Sequence, residues 1–182
     1  MDINGKPVYE GTDGALKGVP YTFDERGKVR TGVAMAEALK NLITQKRSFL
    51  VTGGTGSGKT TVLAALLGLV PTHERMVIVE DSEELRPAHP HVVGLVARAA
   101  NAEGVGAVSL RDLVRQALRM RPDRLVVGEV RGGEVVDLLA ALNTGHEGGC
   151  GTVHANAPAD IPARLEALGI AAGLSREAVH AQ

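Results

Sequence analysis

One segment constrains the fold of this chain more than any other, because its function requires a strand before it and a helix after it. Residues Gly53–Thr60 match the phosphate-loop pattern G-x-x-x-x-G-K-S/T. The apolar run Ser48–Thr52 precedes this match and predicts a strand, and Lys59–Leu69 follows and predicts a helix. The sequence therefore predicts a strand–loop–helix unit that binds phosphate groups.

Each residue type in this loop has a physical purpose. Glycines lack a Cβ atom, so successive backbone N–H groups can turn inward around phosphate oxygens. The helix that follows adds unpaired N–H donors and the positive end of its dipole. We expect Lys59 to reach the terminal phosphates and the Thr60 hydroxyl to hold Mg²⁺. The predicted nucleotide-binding residues of the loop are Gly53, Gly54, Thr55, Gly56, Ser57, Gly58, Lys59, Thr60 and Thr61.

The composition and the order of elements indicate the fold class. Hydrophobic residues make up 44% of the 182 residues but aromatic residues only 2%, so aliphatic side chains must form the core. Such cores suit buried parallel strands covered by helices, and alternating strands and helices predict an α/β fold with three layers and a mostly parallel sheet. Predicted strands are Ser48–Thr52, Met76–Val79, His91–Arg98, Leu125–Gly128 and Gly151–His154; predicted helices are Thr31–Lys46, Lys59–Leu69, Ser109–Arg119, Gly133–Asn143 and Ala159–Leu168.

Charge and composition exclude several classes of protein. The net charge of −1 lacks the basic footprint of a nucleic-acid binder, so no nucleic-acid partner is expected. No apolar run approaches the roughly 18 residues that span a bilayer, and the first residues do not resemble a signal peptide. The single Cys150 excludes an internal disulfide and fits a reducing compartment. These features predict a cytoplasmic protein and leave open a peripheral position at the membrane through partners.

Two acidic segments are candidates for catalysis, because hydrolysis needs a carboxylate that orients water beside the phosphates. Glu80 and Asp81 follow one predicted strand, and Glu129 follows another in the manner of a Walker B motif. Gly128 stands where that motif usually has an aspartate. A pair of solvated carboxylates at a strand end remains the alternative for Glu80 and Asp81.

Histidines and arginines supply further candidates. His146 and His154 flank a glycine-rich turn, and an imidazole N–H near a γ-phosphate could contact it, although a hydrogen-bonded structural histidine is the alternative. The spacing does not indicate a metal site. One arginine could reach the nucleotide of a neighbouring subunit in an oligomer, and the sequence leaves the choice open. The candidates are Arg98, Arg115, Arg119, Arg121, Arg124 and Arg131.

Four blocks in a fixed order resemble one family. The phosphate loop is followed by Val-Glu-Asp-Ser-Glu-Glu-Leu, by Arg-Met-Arg-Pro-Asp-Arg-Leu-Val-Val-Gly-Glu-Val-Arg-Gly-Gly-Glu, and by Asn-Thr-Gly-His-Glu-Gly with Gly-Thr-Val-His-Ala-Asn. From about Thr31 to its end, the chain resembles the catalytic domain of the type II/type IV secretion and pilus-assembly ATPases. It is most similar to their tight-adherence (Flp pilus) branch, through Met120–Asp123, Gly128–Gly133 and Asn101–Gly104.

This resemblance implies a RecA-like P-loop domain over residues 31–182, with residues 1–30 as a leader or linker remnant. It implies a hexameric cytoplasmic motor whose cofactors are ATP and Mg²⁺. Such motors couple hydrolysis to the movement of pilin or another substrate through an inner-membrane platform, so the implied partners are further copies of the chain and platform proteins.

The resemblance also implies roles for individual residues. Glu80 falls in the acidic box and becomes the water-activating carboxylate, and Glu129 falls on a variant Walker B motif that lacks the aspartate. His146 and His154 fall in the histidine box near the γ-phosphate. Arg131 follows the Walker B glutamate and would couple nucleotide state to subunit contacts. With Lys59 of the loop, Glu80, Glu129 and His154 form the predicted catalytic set.

Two departures from the family pattern produce an alternative. Residues 1–30 are too short to be the N-terminal domain that closes over the nucleotide in family members, and the chain stops where members continue. The sequence therefore predicts an excised or C-terminally truncated catalytic domain. The alternative function is a nucleotide-binding interaction module with little turnover.

Overall fold

The structure is a computed structural model that describes residues 9–10, 20–23 and 29–181. Residues 1–45 and 46–182 form two compact units. Most of the leader predicted at residues 1–30 lies outside the described residues.

The first unit combines a small antiparallel sheet with one helix. The strands β1 (Tyr9–Glu10), β2 (Pro20–Phe23) and β3 (Val29–Arg30) pair in that order, and helix α1 spans Thr31–Thr44. The helix confirms the prediction for this segment. The strands were not predicted, because two to four residues are too few to show an alternating pattern.

The second unit is built on a parallel sheet, five strands of which lie in the described part of the chain. Their spatial order is β4-β8-β7-β5-β6, and every pairing is parallel. All carboxyl ends therefore lie at one edge of the sheet, called the carboxyl edge below, and all amino ends lie at the opposite, amino edge. The strands are β4 (Phe49–Gly53), β5 (Met76–Glu80), β6 (Val92–Val96), β7 (Arg124–Val130) and β8 (Cys150–His154).

Helices cover this sheet. Helices α3 and α4 pack on the face that carries Val77 and Val79 of β5 and Leu125 and Val127 of β7, and α2 contacts β4 and β8. Aliphatic side chains fill these interfaces, as the composition predicted. The predicted α/β fold with a parallel sheet is confirmed. The helices are α2 (Lys59–Leu67), α3 (Leu110–Arg119), α4 (Glu134–Asn143), α5 (Ile161–Ala171) and α6 (Arg176–His180).

Local signals fixed some boundaries and missed others. The predicted cap at Ser109 is confirmed, since its hydroxyl accepts a hydrogen bond from the Asp112 N–H at 3.2 Å and the Asp112 carboxylate accepts one in return. The predicted helix Ala159–Leu168 is confirmed as α5, which begins two residues later, after a 3₁₀ turn at Pro158–Asp160. Helix α6 was not predicted, because five residues are too short for a helical period. Among the described residues, no helix has the length and apolar character needed to cross a membrane.

Candidate functional site

A cleft of about 350 Å³ opens at the carboxyl edge of the sheet. It lies between the loop after β4 and the ends of β5, β7 and β8, where ligands of open α/β sheets bind. Its volume falls within the range of small-molecule sites. Of the residues predicted from the sequence, Thr55, Gly56, Lys59, Thr60, Glu80, Glu129, Arg131 and His154 line it.

The loop has the backbone conformation that its glycines allow. Gly56 and Gly58 have φ angles of 73° and 87°, in the left-handed region that side chains rarely tolerate. The Lys59 ammonium donates a hydrogen bond to the Gly54 carbonyl at 2.9 Å, so it lies across the loop. The Ser57 N–H donates to the same carbonyl at 3.3 Å. The loop is thus closed on itself with its lysine at the cleft.

The other predicted loop residues have different positions. Gly53 ends β4, and a Cβ atom there would lie 2.5 Å from the Ser57 hydroxyl oxygen, so the glycine permits the turn. Gly54, Ser57 and Gly58 shape the loop without lining the cleft, and Thr61 is exposed on α2.

Glu80 is a buried carboxyl at the end of β5. Its residue is 6% exposed, and its Oε1 accepts hydrogen bonds from the Leu85 N–H at 3.0 Å and the Glu84 N–H at 3.2 Å. Burial raises the pKa of Glu80, although the two N–H donors oppose this change. A raised pKa brings a carboxyl closer to the range in which it exchanges protons near neutral pH. Burial thus favours the protonated form of the Glu80 carboxyl.

Gly128 explains the missing aspartate of the Walker B motif. A Cβ atom at residue 128 would lie 2.6 Å from Cγ of Glu80. The Glu80 side chain thus occupies the space beside β7 that a side chain at residue 128 would need. The glutamate at residue 80 and the glycine at residue 128 therefore depend on each other for packing.

A β-bulge directs Glu129. In the pairing of β7 with β8, Val127 lies opposite Gly151 and Val130 lies opposite Val153, so Gly128 and Glu129 together oppose Thr152. Such bulges redirect a side chain beside many active sites. Glu129 is exposed and lines the cleft. No periodic pattern of residues predicted this bulge.

Arg131 is fixed at the cleft by two contacts. Its guanidinium forms an ion pair with Asp81, whose side chain also lines the cleft. The N–H groups of Arg131 and Gly132 donate to Oε1 of the buried Glu134, at 2.6 and 2.7 Å. Asp81 was predicted with Glu80 as a candidate carboxylate, but its ion pair with Arg131 and the role of Glu134 were not predicted, because neither contact has a local sequence signature.

The structure brings one of the two predicted histidines to the cleft. His154 ends β8 and pairs with Gly53, so it lies beside the loop. His146 precedes β8, and the length of that strand places it about 13 Å or more from the carboxyl edge. Its N–H donates to the Ala141 carbonyl at 3.2 Å. His146 therefore lies away from the phosphate loop, on the amino side of the sheet, and the prediction that it reaches this site is wrong.

The candidate arginines differ in burial and in position. Arg124 is buried and pairs with Glu74, Nε to Oε2 at 2.7 Å, so it cannot reach a neighbouring subunit. Arg115 is paired with Asp137 at 2.9 Å. Arg131 lines the cleft, and Arg98 follows β6 on the carboxyl side, where its Nε donates to the Gly106 carbonyl at 2.8 Å. Of the candidates placed here, Arg98 and Arg131 are the two on the carboxyl side of the sheet.

The donors at the cleft suit magnesium bound together with phosphate. Among the described residues, no group of three or more His, Cys, Asp or Glu side chains could hold a metal ion by itself. Mg²⁺ commonly takes one or two protein oxygen ligands and completes its shell with phosphates and water. Thr60 offers a hydroxyl at the cleft, and Glu80 and Glu129 offer carboxylates there. The residues present therefore fit Mg²⁺ that arrives with a nucleotide.

Cys150 has no part in this chemistry. It is fully buried, and burial raises the pKa of its thiol to about 12. The thiol therefore stays protonated and unreactive at neutral pH.

The chain matches a known family over most of its length. The model for "Type II/IV secretion system protein" matches residues 25–181.

Curated relatives carry transport names. The chain is 66% identical over 149 residues to the "Putative conjugal transfer protein Rv3659c" of Mycobacterium tuberculosis, covering 82% of this chain and 42% of that protein. It is 45% identical over 124 residues to the "Type IV secretion system protein PtlH" of Bordetella pertussis, covering 67% of this chain and 36% of that protein. The chain thus spans less than half the length of these relatives.

Solved structures share the fold. The VirB11 ATPase of the Brucella suis type IV secretion system, in complex with sulphate, has a TM-score of 0.70 at 32% identity over 81% of this chain and 43% of its own. The pilus retraction motor PilT with bound ADP has a TM-score of 0.58 at 31% identity, over 79% and 41%. These likenesses confirm the predicted RecA-like fold class.

Proposed function

The chain belongs to the type II/IV secretion system protein family, and from this premise we propose that it binds ATP with Mg²⁺ and hydrolyses it to drive transport. One observation carries the proposal: four blocks that lie far apart in the sequence meet in a single cleft at the carboxyl edge. Two similar proteins support the choice of nucleotide: one is named as an ATPase, VirB11, and the other, the pilus retraction motor PilT, has bound ADP.

Binding is assigned to the loop and the helix that follows it. The N–H groups of the loop and the N-terminus of α2 would surround the phosphates. Lys59 would exchange its contact with the Gly54 carbonyl for phosphate oxygens. Thr60 would hold Mg²⁺, which neutralises charge on the phosphates when bound.

Hydrolysis is assigned to the side chains at the strand ends. Glu80 would accept the proton of the attacking water, because its burial favours the protonated carboxyl. Glu129 would orient that water. His154 would donate an N–H to the γ-phosphate, and Arg131 would add positive charge on the same side. His146 has no assigned step in this cleft.

The wider role follows from the relatives. We extend the proposal to a motor that assembles as a hexamer, with Arg98 or Arg131 facing a neighbouring nucleotide, and that works at the inner face of a membrane with platform proteins. The similarity to conjugal transfer and type IV secretion proteins supports a transported substrate. Assignment to the tight-adherence branch, with pilin as cargo, rests on Met120–Asp123, Gly128–Gly133 and Asn101–Gly104. We also propose that residues 1–30 are a leader or linker remnant and that residues 31–182 form the catalytic domain.

Phosphate release at increasing protein concentrations, with molecular mass measured in the same samples, tests the proposal. We expect Lys59→Ala to abolish ATP binding and Glu129→Gln to keep binding but lower hydrolysis by about 100-fold or more. Lys40→Ala and Glu147→Gln are matched controls, because both residues are exposed and lie outside the cleft. Equal rates in all variants contradict an ATPase. Tight binding without turnover at any concentration favours the interaction module.

A further inference from the structure

We propose that Thr152 is a positioning residue: its hydroxyl holds the Gly128–Glu129 bulge and thereby fixes the direction of Glu129. The inference deepens the proposed function and rests on it for its effect on catalysis. Thr152 is 2% exposed, and its Oγ1 donates a hydrogen bond to the Gly128 carbonyl at 2.6 Å.

The bulge creates a need for this bond. Two residues of β7 face the single Thr152 of β8, so the regular ladder is interrupted at the bulge. A backbone carbonyl withdrawn from water needs a donor, and the Gly128 carbonyl is part-buried at this interruption. The Thr152 hydroxyl supplies that donor from the strand directly opposite. A side chain without a hydroxyl at residue 152 would leave the Gly128 carbonyl without this partner.

Because residue 128 is a glycine, the hydrogen bond from Thr152 has a larger effect on the backbone there. Glycine is required there because the Glu80 side chain fills the space of a Cβ atom. Glycine is also the residue with the greatest backbone freedom. The packing that admits Glu80 therefore leaves the peptide before Glu129 with little intrinsic restraint. The hydrogen bond from Thr152 restores that restraint at the position where a small rotation would redirect Glu129.

A second threonine provides a matched control. Thr52 lies on the neighbouring strand β4, opposite Val153, and its Oγ1 is also buried. Among the described residues, that oxygen has no hydrogen-bond partner. A change of threonine to valine keeps the shape of the side chain and removes the hydroxyl. At Thr52 the change removes no hydrogen bond, whereas at Thr152 it removes the bond to Gly128.

The first test compares kcat with ATP affinity in Thr152→Val, Thr152→Ser and Thr52→Val. We expect Thr152→Val to lower kcat about 10- to 100-fold, the usual cost of a misplaced catalytic group, with the Kd for ATP nearly unchanged. Thr152→Ser keeps the hydroxyl and should restore most of the rate, and Thr52→Val should match the wild type. An equal kcat in Thr152→Val and Thr52→Val overturns the inference. So does a loss in Thr152→Val that appears in Kd and thermal stability instead of kcat.

The second test needs no turnover and separates failure of this inference from failure of the proposed function. A nitroxide is attached to Glu129→Cys; the native Cys150 is buried with a protonated thiol and will not compete for the label. We expect the spectrum to show a more mobile label in the Thr152→Val background, but not with Thr152→Ser or Thr52→Val. Unchanged mobility in Thr152→Val refutes the positioning role. Increased mobility of the label, together with no ATP hydrolysis by the unlabelled wild-type chain at any protein concentration, upholds positioning and refutes the ATPase.

Discussion

The two edges of the parallel sheet use charged side chains differently. At the carboxyl edge, Glu129 and Arg131 are exposed to the cleft, and the buried Glu80 carboxylate accepts hydrogen bonds from the backbone N–H groups of Glu84 and Leu85. At the amino edge, Arg124 and Glu74 are buried against each other, 2.7 Å apart.

This difference shows that the position of an arginine along a strand decides whether its side chain is buried or exposed to the cleft. Arg124 and Arg131 bound the same strand, β7, one at each end. The first is enclosed in the fold by its ion pair with Glu74. The second faces a cleft that can receive a charged ligand. Strand direction therefore separates an arginine enclosed in the fold from one that faces the cleft.

The largest effect is expected for Glu74→Ala. Removing this carboxylate deprives the buried Arg124 of its ion pair, a loss that typically costs about 3 to 5 kcal/mol of unfolding free energy. Lys46→Ala is the control, because Lys46 is 41% exposed and pairs with the same carboxylate at 3.4 Å; it should cost below about 1 kcal/mol. Urea denaturation measures both. Similar values for the two variants would show that the amino edge is not held by its buried pair.

An intermediate effect is expected for Gly128→Ala. The new methyl group would meet Glu80, and overpacking of this kind costs about 1 to 3 kcal/mol. Hydrolysis should fall as well, because the methyl group displaces the Glu80 carboxyl. In a Glu80→Ala background the added cost to stability should largely disappear. A double-mutant cycle on unfolding free energy measures the coupling, and strictly additive effects would refute the packing explanation.

A smaller effect, confined to stability, is expected for Asp123→Ala. The Asp123 carboxylate accepts a hydrogen bond from the Arg75 N–H at 2.7 Å, ahead of β5, and its loss should cost about 1 kcal/mol. ATP affinity should match the wild type, because this contact lies at the amino edge. Calorimetric titration with ATP checks the point. A clear loss of ATP affinity would contradict the expectation that contacts at the amino edge affect stability alone.

The smallest expected effect is a dependence of stability on pH, which the variant Glu80→Gln should lose. The pKa of Glu80 is raised in the folded chain, so the unfolded chain loses its proton first as the pH rises. Stability contributed by this group therefore falls as the pH rises from the ordinary glutamate pKa toward the raised one. Glu80→Gln should remove that fall, and thermal unfolding across pH measures it. A Glu80→Gln variant whose pH dependence equals that of the wild type would contradict the shift.

Local patterns predicted much of the molecule. The loop, the order of strands and helices and the Ser109 cap follow from motifs that span a few residues, and the structure contains them. The strands at Tyr9–Glu10, Pro20–Phe23 and Val29–Arg30 and helix α6 escaped, because they are too short to show a period. The site was predicted as a set of residues, of which His154 reaches the cleft and His146 does not.

The sequence by itself determined the phosphate loop and the α/β alternation, because both depend on spacing along the chain. The resemblance it carries led to the family that residues 25–181 then matched. Only the tertiary structure showed that Glu80 fills the space left by Gly128, that a bulge directs Glu129, and that Arg124 is buried. These facts depend on strand order and register, which bring together residues about 50 positions apart and leave no mark on the local pattern.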